Sequence, residues 1–373
     1  MAKITTTLRK WHNDLQWRLL DTYILKKFLG SFVYSILLLM TIIMVFDVSE
    51  NIQRFIDNDV PFGKIVFLYY GNFIPYFINL FIPLFTFISV IWFTSQMSGR
   101  NEIVAILSSG INFYRLLLPY IVGALIIAVF AIAMANFIIP NTNKGLNDFK
   151  EEYFKQKRRS SSNIHLKNSA NSYIYVERWS NEELDGQHFT YEKLGNQYIE
   201  KKIGAKSFRY DDSTKRWVLN DYTIRTIAHN EETIVSGKEM DTIFNILPRD
   251  LDRDESIIEM MDFATMRRYI RDEEQKGSSF VKYYKREQHK RLSNPLGTII
   301  MTLLGFSVAS RKTHRGVGVH LFIGMGMAFS FIFLQQVSDV FAVSGGLPPA
   351  LGAWIPSLIF LVVCAFMLRF TQK

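Results

Sequence analysis

MSGRNEIVAILSSG (Met97–Gly110) is a short polar stretch between two strongly apolar runs, and its reading decides what kind of protein this is. Ile103, Ile106 and Leu107 fall on one helical face, with Gly110 one turn further on. Ser98 or Asn101 can cap the first turn, because a side-chain oxygen there accepts from a free backbone N–H. Glu102 then lies where the helix dipole favours a negative charge. The expectation is a short amphipathic helix held at a membrane surface by the runs on either side. It is either a passive interfacial connector or a docking helix that presents Glu102 to a partner.

The rest of the chain supplies the membrane. Of the 373 residues 49% are hydrophobic, a share common to soluble domains, so distribution matters more than total. Long uncharged runs occupy both ends of the chain, and a polar, charged block fills the middle. Runs of about 20 apolar residues are long enough to cross a bilayer's hydrocarbon core. Six spans are expected, at about 28–48, 74–97, 113–139, 293–309, 317–341 and 351–370. They form an N-terminal transmembrane half (1–140) and a C-terminal one (276–373) around an inserted domain at 141–275. Pro75 and Pro83 distort the second span, and Pro140 is expected to end the third. Leu15, Leu19, Tyr23 and Leu25 suggest an amphipathic lead-in before the first span, which is expected to remain as a signal anchor.

The inserted domain reads as β. SYIYVERW (172–179) and RWVLNDYTIRTI (216–227) are rich in β-branched and aromatic residues. Asp185-Gly186, Gly195-Asn196, Asp211-Asp212 and Ser236-Gly237 are read as turns between short strands of a sandwich or open barrel. Asp254 to Gly277 is read as one helix, with an apolar stripe of Ile257, Met260, Met261, Met266 and Ile270.

Charge sets the expected orientation. The N-terminus, the 98–115 loop, the loop with Arg311, Lys312, His314 and Arg315, and the C-terminus are basic, whereas the 47–64 connection is acidic. Lys and Arg gather on the cytoplasmic side, which puts both termini in the cytoplasm and the middle domain outside. The net charge of +9 thus has a membrane explanation, and no nucleic-acid partner is called for. Lys282 and Lys285 belong to a basic run beside the fourth span; cations so placed attract phosphate.

Several chemistries are missing from the sequence. It has no G-x-x-x-x-G-K-[ST], no H-E-x-x-H and no G-x-S-x-G. The single cysteine, Cys364, rules out an intramolecular disulfide and a cysteine-based metal cluster. His314 and His320 read as solvated span-end residues rather than a metal site, and no cofactor is expected. Ionisable groups within spans, which coupled transporters need, are nearly absent. What remains is a membrane pathway with no energy source of its own, in need of a separate ATPase to push on it; an amphipathic helix can fit such a partner's groove.

Nearly the whole chain resembles one family, the LptF/LptG permeases of the lipopolysaccharide-export ABC transporter. The order of three spans, a β-rich domain and three spans is similar to that family's. SGRNEIVAILSSGINFYRL (98–116) resembles its coupling-helix segment, an acid followed by A-x-x-x-x-G, here Glu102, Ala105 and Gly110. HKRLSNPLGTIIMTLLGFSVASR (289–311) resembles its fourth span. LLDTYILKKFL (19–29), NSYIYVERW (171–179) and GLPPALGAWIPS (346–357) look more like the G type than the F type.

The resemblance implies a helical membrane protein with six transmembrane helices and an inserted all-β, jellyroll-like periplasmic domain. It implies an inner-membrane permease that extracts lipopolysaccharide and hands it to a periplasmic LptA-like bridge, the ATP being hydrolysed by partner subunits. The implied partners are an F-type permease, a cytoplasmic ATPase dimer and an LptC-like bitopic protein. The coupling residues would be Arg100, Glu102, Ile103, Ile106 and Gly110. Arg54 and Lys150 would meet the substrate's phosphates near the cavity mouth, and Phe329 and Phe333 its acyl chains. Asp47 departs from the pattern, since the family's G members often carry a Lys there; the phosphate contacts would then pass to Lys282 or Lys285. Three alternatives stay open: an ATP-driven permease for another envelope lipid or polysaccharide, an intramembrane transferase built around Asp339, Gln335 and Gln336, and a non-transporting scaffold for envelope assembly.

Overall fold

Residues 19–154, 161–169, 171–180, 183–195, 198–228, 231–251, 255–275, 278, 280–310 and 317–371 are described by a computed structural model of the chain. Leu15 of the expected lead-in, and Arg311, Lys312, His314 and Arg315 of the basic loop, lie outside these residues. The chain divides into two units, one of 1–146 with 286–373 and one of 147–285.

Six helices of the described chain are long and apolar enough to cross a membrane. They are α1 (Leu19–Asp57), α2 (Phe62–Gly99), α4 (Phe113–Phe154), α6 (Val281–Ala309), α7 (Val317–Ser344) and α8 (Pro349–Thr371). The short α3 (Glu102–Ser108) joins α2 to α4. The helices outrun the apolar stretches that announce them. At 1.5 Å per residue the 39 residues of α1 extend about 58 Å, well beyond a hydrocarbon core of about 30 Å, so its polar ends stay helical outside that core. The expected lead-in at Leu19 and Tyr23 is therefore the first turns of α1, and the acidic connection read from Asp47 shrinks to the residues between Asp57 and Phe62.

Pro140 does not stop the third span. A π-helical turn (Met134–Ile138) precedes it and widens the backbone where proline cannot donate. Asn136 Nδ2 donates to the Ile132 carbonyl at 2.8 Å, and Asn141 Nδ2 to that of Phe137 at 3.1 Å, so the helix continues to Phe154. A second π-helical turn (Ile65–Tyr70) precedes Pro75 in α2.

A polar seam ties α2 to its neighbours. Ser89 Oγ donates to the Phe28 carbonyl of α1 at 3.2 Å, the Thr94 and Tyr120 hydroxyls pair α2 with α4 at 3.0 Å, and Ser95 meets His320 Nδ1 of α7 at 3.0 Å. All three α2 side chains are buried, where a polar group without a partner would be costly. Around the seam Ile24, Phe28, Phe93, Tyr120 and Phe306 form the apolar core of this unit. Gly123 of α4 faces Phe28, and a Cβ there would overlap the ring; small residues at such crossings let membrane helices approach closely.

The other unit holds an antiparallel sheet of six strands, β1 (Ser161–Ser169), β2 (Ser172–Ser180), β3 (Asp185–Leu194), β4 (Ile199–Asp211), β5 (Arg216–Ala228) and β6 (Glu231–Thr242). They pair in sequence order, a meander with β1 and β6 at its edges. Trp179, Phe189, Phe208 and Trp217 fill its core, and Trp217 Nε1 donates to the Ile246 carbonyl at 3.1 Å. Two expected turns prove to be strand. Gly186 lies in β3 against Phe208 and Gly237 in β6 under Tyr222, glycines that admit a neighbouring ring rather than bend the chain. The helix expected over Asp254–Gly277 is divided into a 3-10 turn (Glu255–Met260) and α5 (Phe263–Gln275). Asp262 Oδ2 accepts from the Ala264 N–H at 3.2 Å and starts the second helix afresh.

Candidate functional site

The connection between α2 and α4 is built on two left-handed residues. Asn101 has φ 60° and Gly110 φ +89°, and the seven residues of α3 lie between them. Neither sequence-predicted cap is used: Asn101 occupies the N-cap position without a side-chain capping bond. The cap is one helix later, where Asn112 Oδ1 accepts from the Tyr114 N–H at 3.0 Å at the start of α4.

Ile103 anchors α3. It is 2% exposed, within the cluster that includes Ile24, Phe93 and Leu116, and Ile106 packs against the same cluster. Leu107, expected on that face, turns outward with Val104, because the short helix buries only a narrow stripe. Glu102 sits at the outer edge with its side chain 30% exposed. Arg100 Nη1 lies 3.9 Å from Glu102 Oε1, and the Tyr23 hydroxyl of α1 donates to Glu102 Oε2 at 3.4 Å. This leaves a partly exposed carboxylate, flanked by Arg100 and Tyr23, at the edge of a helix whose Ile103 side is buried.

Just past Gly110 the chain makes its most deeply buried ion pair among those described for the spans. Arg115 donates from Nη1 and Nη2 to the two carboxylate oxygens of Asp21 at 2.7 and 2.5 Å. The side chains are 11% and 3% exposed.

At the opposite end of α1 a second polar cluster forms. Asp47 accepts from Asn51 Nδ2 at 3.1 Å, the Tyr69 hydroxyl at 3.2 Å and the Tyr70 hydroxyl at 3.0 Å. Arg54 Nη1 in turn reaches Asn51 Oδ1 at 3.4 Å. Asp47 is thus the acceptor that holds the start of α2 against α1.

The remaining predicted residues are dispersed. Phe329 and Phe333 lie one turn apart on α7 and point away from the chain's own core, at 65% and 71% exposed, while Phe331 between them is buried. Lys150 is half-buried near the end of α4, and Lys282 is exposed on the first turn of α6. Lys285 is engaged by Glu274. Further along α6, Lys290 and Arg286 reach Asp339 of α7 at 3.3 and 3.8 Å. Gln335 Nε2 donates to Asn294 Oδ1 at 2.8 Å. Of the three polar residues an intramembrane transferase would use, Asp339 is buried in ion pairs between two spans, Gln335 is half-buried in a hydrogen bond and Gln336 is exposed. Among the described residues no cluster of His, Cys, Asp and Glu is arranged to hold a metal ion.

Six membrane-length helices, an inserted antiparallel sheet and a short anchored helix bearing Glu102 between the second and third define a polytopic membrane protein. Its sequence profile goes further: residues 22–369 match the lipopolysaccharide export system permease LptF/LptG family, and the chain belongs to that family. It is 19% identical to the lipopolysaccharide export system permease protein LptG of Escherichia coli strain K12, over 92% of this chain and 98% of that protein. It is 21% identical to the protein of the same name from Haemophilus influenzae, over 94% and 98%.

Proposed function

We propose that this chain is the G-type permease subunit that takes lipopolysaccharide from the inner membrane and passes it toward the outer membrane. A separate ATPase supplies the energy through α3. The observation that carries this reading is the seating of Glu102: an accessible carboxylate on a helix whose other face is buried in the bundle, in a chain without a phosphate-binding loop of its own.

Other features support it. Basic residues at 98–115 and 311–315 favour an orientation with α3 and both termini in the cytoplasm and the β-rich unit in the periplasm. Only 22% of the apolar window is buried in α1 and in α7, against 72% in α6. Spans one and five thus keep their faces for lipid, cargo and a second permease of F type, and Phe329 and Phe333 offer aromatic surface to acyl chains. Arg54, held by Asn51, and the exposed Lys282 supply cations for the cargo's phosphates. Lys150 contributes a third cation, and the engaged Lys285 a weaker one. An LptC-like bitopic protein and an LptA-like bridge complete the route.

Affinity purification of the tagged chain in mild detergent tests the assignment. It should recover an ATPase, a second six-span permease and bound lipid A. Recovery of the chain without an ATPase, or with a different envelope lipid, contradicts it.

A further inference from the structure

We propose that the Asp21–Arg115 pair is the joint through which displacement of α3 moves α1. This rests on the coupling role assigned to α3 and adds the residues that carry the motion onward. α3 is flanked by Asn101 at φ 60° and Gly110 at φ +89°, so it is a discrete seven-residue lever rather than a continuation of either span. Among the described residues, polar contacts lead from its surroundings to α1 at Tyr23 and at Asp21, within three residues of each other. Tyr23 meets Glu102 on α3 itself, and Asp21 meets Arg115 five residues after the Gly110 turn.

The two contacts differ in what they can transmit. The Tyr23–Glu102 bond is long and exposed, and water replaces it readily. The Asp21–Arg115 pair is buried and bidentate, and a guanidinium fork on a carboxylate fixes orientation as well as distance. Separating it would leave two charges in a medium that solvates them poorly, so the start of α4 and the start of α1 move together. From Asp21 the helix α1 runs unbroken to the Asp47, Asn51 and Arg54 cluster at its other end, so a tilt imposed at the joint reaches that end within one rigid element. Asp21 and Arg115 act as positioning residues, through the hold each has on the other.

The test uses the whole transporter, with its ATPase and second permease, in proteoliposomes loaded with lipopolysaccharide. Asp21→Asn and Arg115→Lys are each compared with the parent for ATP hydrolysis and for lipid released to an acceptor. The expected result is hydrolysis within about twofold of the parent and lipid released per ATP reduced about tenfold, a magnitude ordinary for coupling between sites. The exchanged pair, Asp21→Arg with Arg115→Asp, should recover part of that ratio.

A merely structural pair would lower assembly and hydrolysis together and leave lipid per ATP unchanged; that result, in whichever variant assembles, overturns the proposal. Failure of all three variants to assemble overturns it as well, since the pair would then be a folding element. Glu102→Arg separates this proposal from the reading beneath it. If that variant keeps both ATPase association and export, the coupling role itself is wrong. If it loses them while Asp21→Asn keeps its lipid-per-ATP ratio, only the joint is wrong.

Discussion

The Tyr23 hydroxyl donates to Glu102 Oε2 at 3.4 Å across 79 residues of chain, so the acid at the head of α3 is steadied by the first span. The contact is long and solvent-exposed, and such bonds contribute little net stability. Tyr23→Phe should therefore change thermal stability by less than about 0.5 kcal/mol and leave ATPase co-purification at the parent's level. Loss of the ATPase in that variant would show that the hydroxyl, and not only the carboxylate, belongs to the docking surface.

Gly110 predicts a larger effect without touching any partner. Its φ of +89° is a region that a Cβ disfavours, and no atom lies within 4 Å of where that Cβ would sit. Gly110→Ala should cost about 1 kcal/mol through the backbone alone. Gly99, equally open but without a positive φ, supplies the control. Equal melting temperatures for Gly110→Ala and Gly99→Ala would contradict the strain argument.

How much of this was legible in the sequence depended on whether the signal was local. The apolar runs gave all six spans, because about 20 residues of low polarity have few other uses. Alternation gave the sheet, and the phase of Ile103 and Ile106 gave the buried side of α3. The helix ends were not legible, since a helix continues past the hydrocarbon into polar residues, and since π-helical turns let α4 pass Pro140. Gly186 and Gly237 misled because a glycine's use as ring clearance looks, in sequence, like a turn. Asp21 and Arg115 were missed because they lie 94 residues apart and no local pattern links one to the other. The available signal was phase: Asp21 shares a helical face with Ile24 and Phe28, a charge on an apolar stripe.

The exposed face of α7 predicts where cargo travels. A photoreactive residue at Phe329 or Phe333 should yield ultraviolet-dependent adducts with lipopolysaccharide, detected by an antibody to the lipid. The same residue at Phe331, which is 4% exposed, should yield none. Adducts at Phe331 equal to those at its neighbours would remove α7 from the cargo path.

The β5 approach predicts a pH response confined to one turn. Asp211 accepts from the Ser213 hydroxyl at 2.5 Å, the Thr214 hydroxyl at 2.7 Å and the Ser213 N–H at 3.0 Å, which hold its carboxyl down to about 2 from the usual 3.8. A depressed carboxyl contributes stability that is fully present above 3.8 and lost as pH falls through about 2. Carboxyl NMR of the selectively labelled chain should place the Asp211 midpoint near 2, and Ser213→Ala should move it upward. A parent midpoint at the ordinary carboxylate value would refute the turn's hydrogen bonding.

Energy is proposed to enter this permease at Glu102. The direct measurement is ATP-dependent release of lipopolysaccharide from proteoliposomes containing the complete transporter with Glu102→Arg. Reversing the charge on an otherwise unchanged helix should abolish both ATPase retention and lipid release while the chain stays folded and inserted. Release at the parent's rate, with the ATPase still bound, would contradict the account.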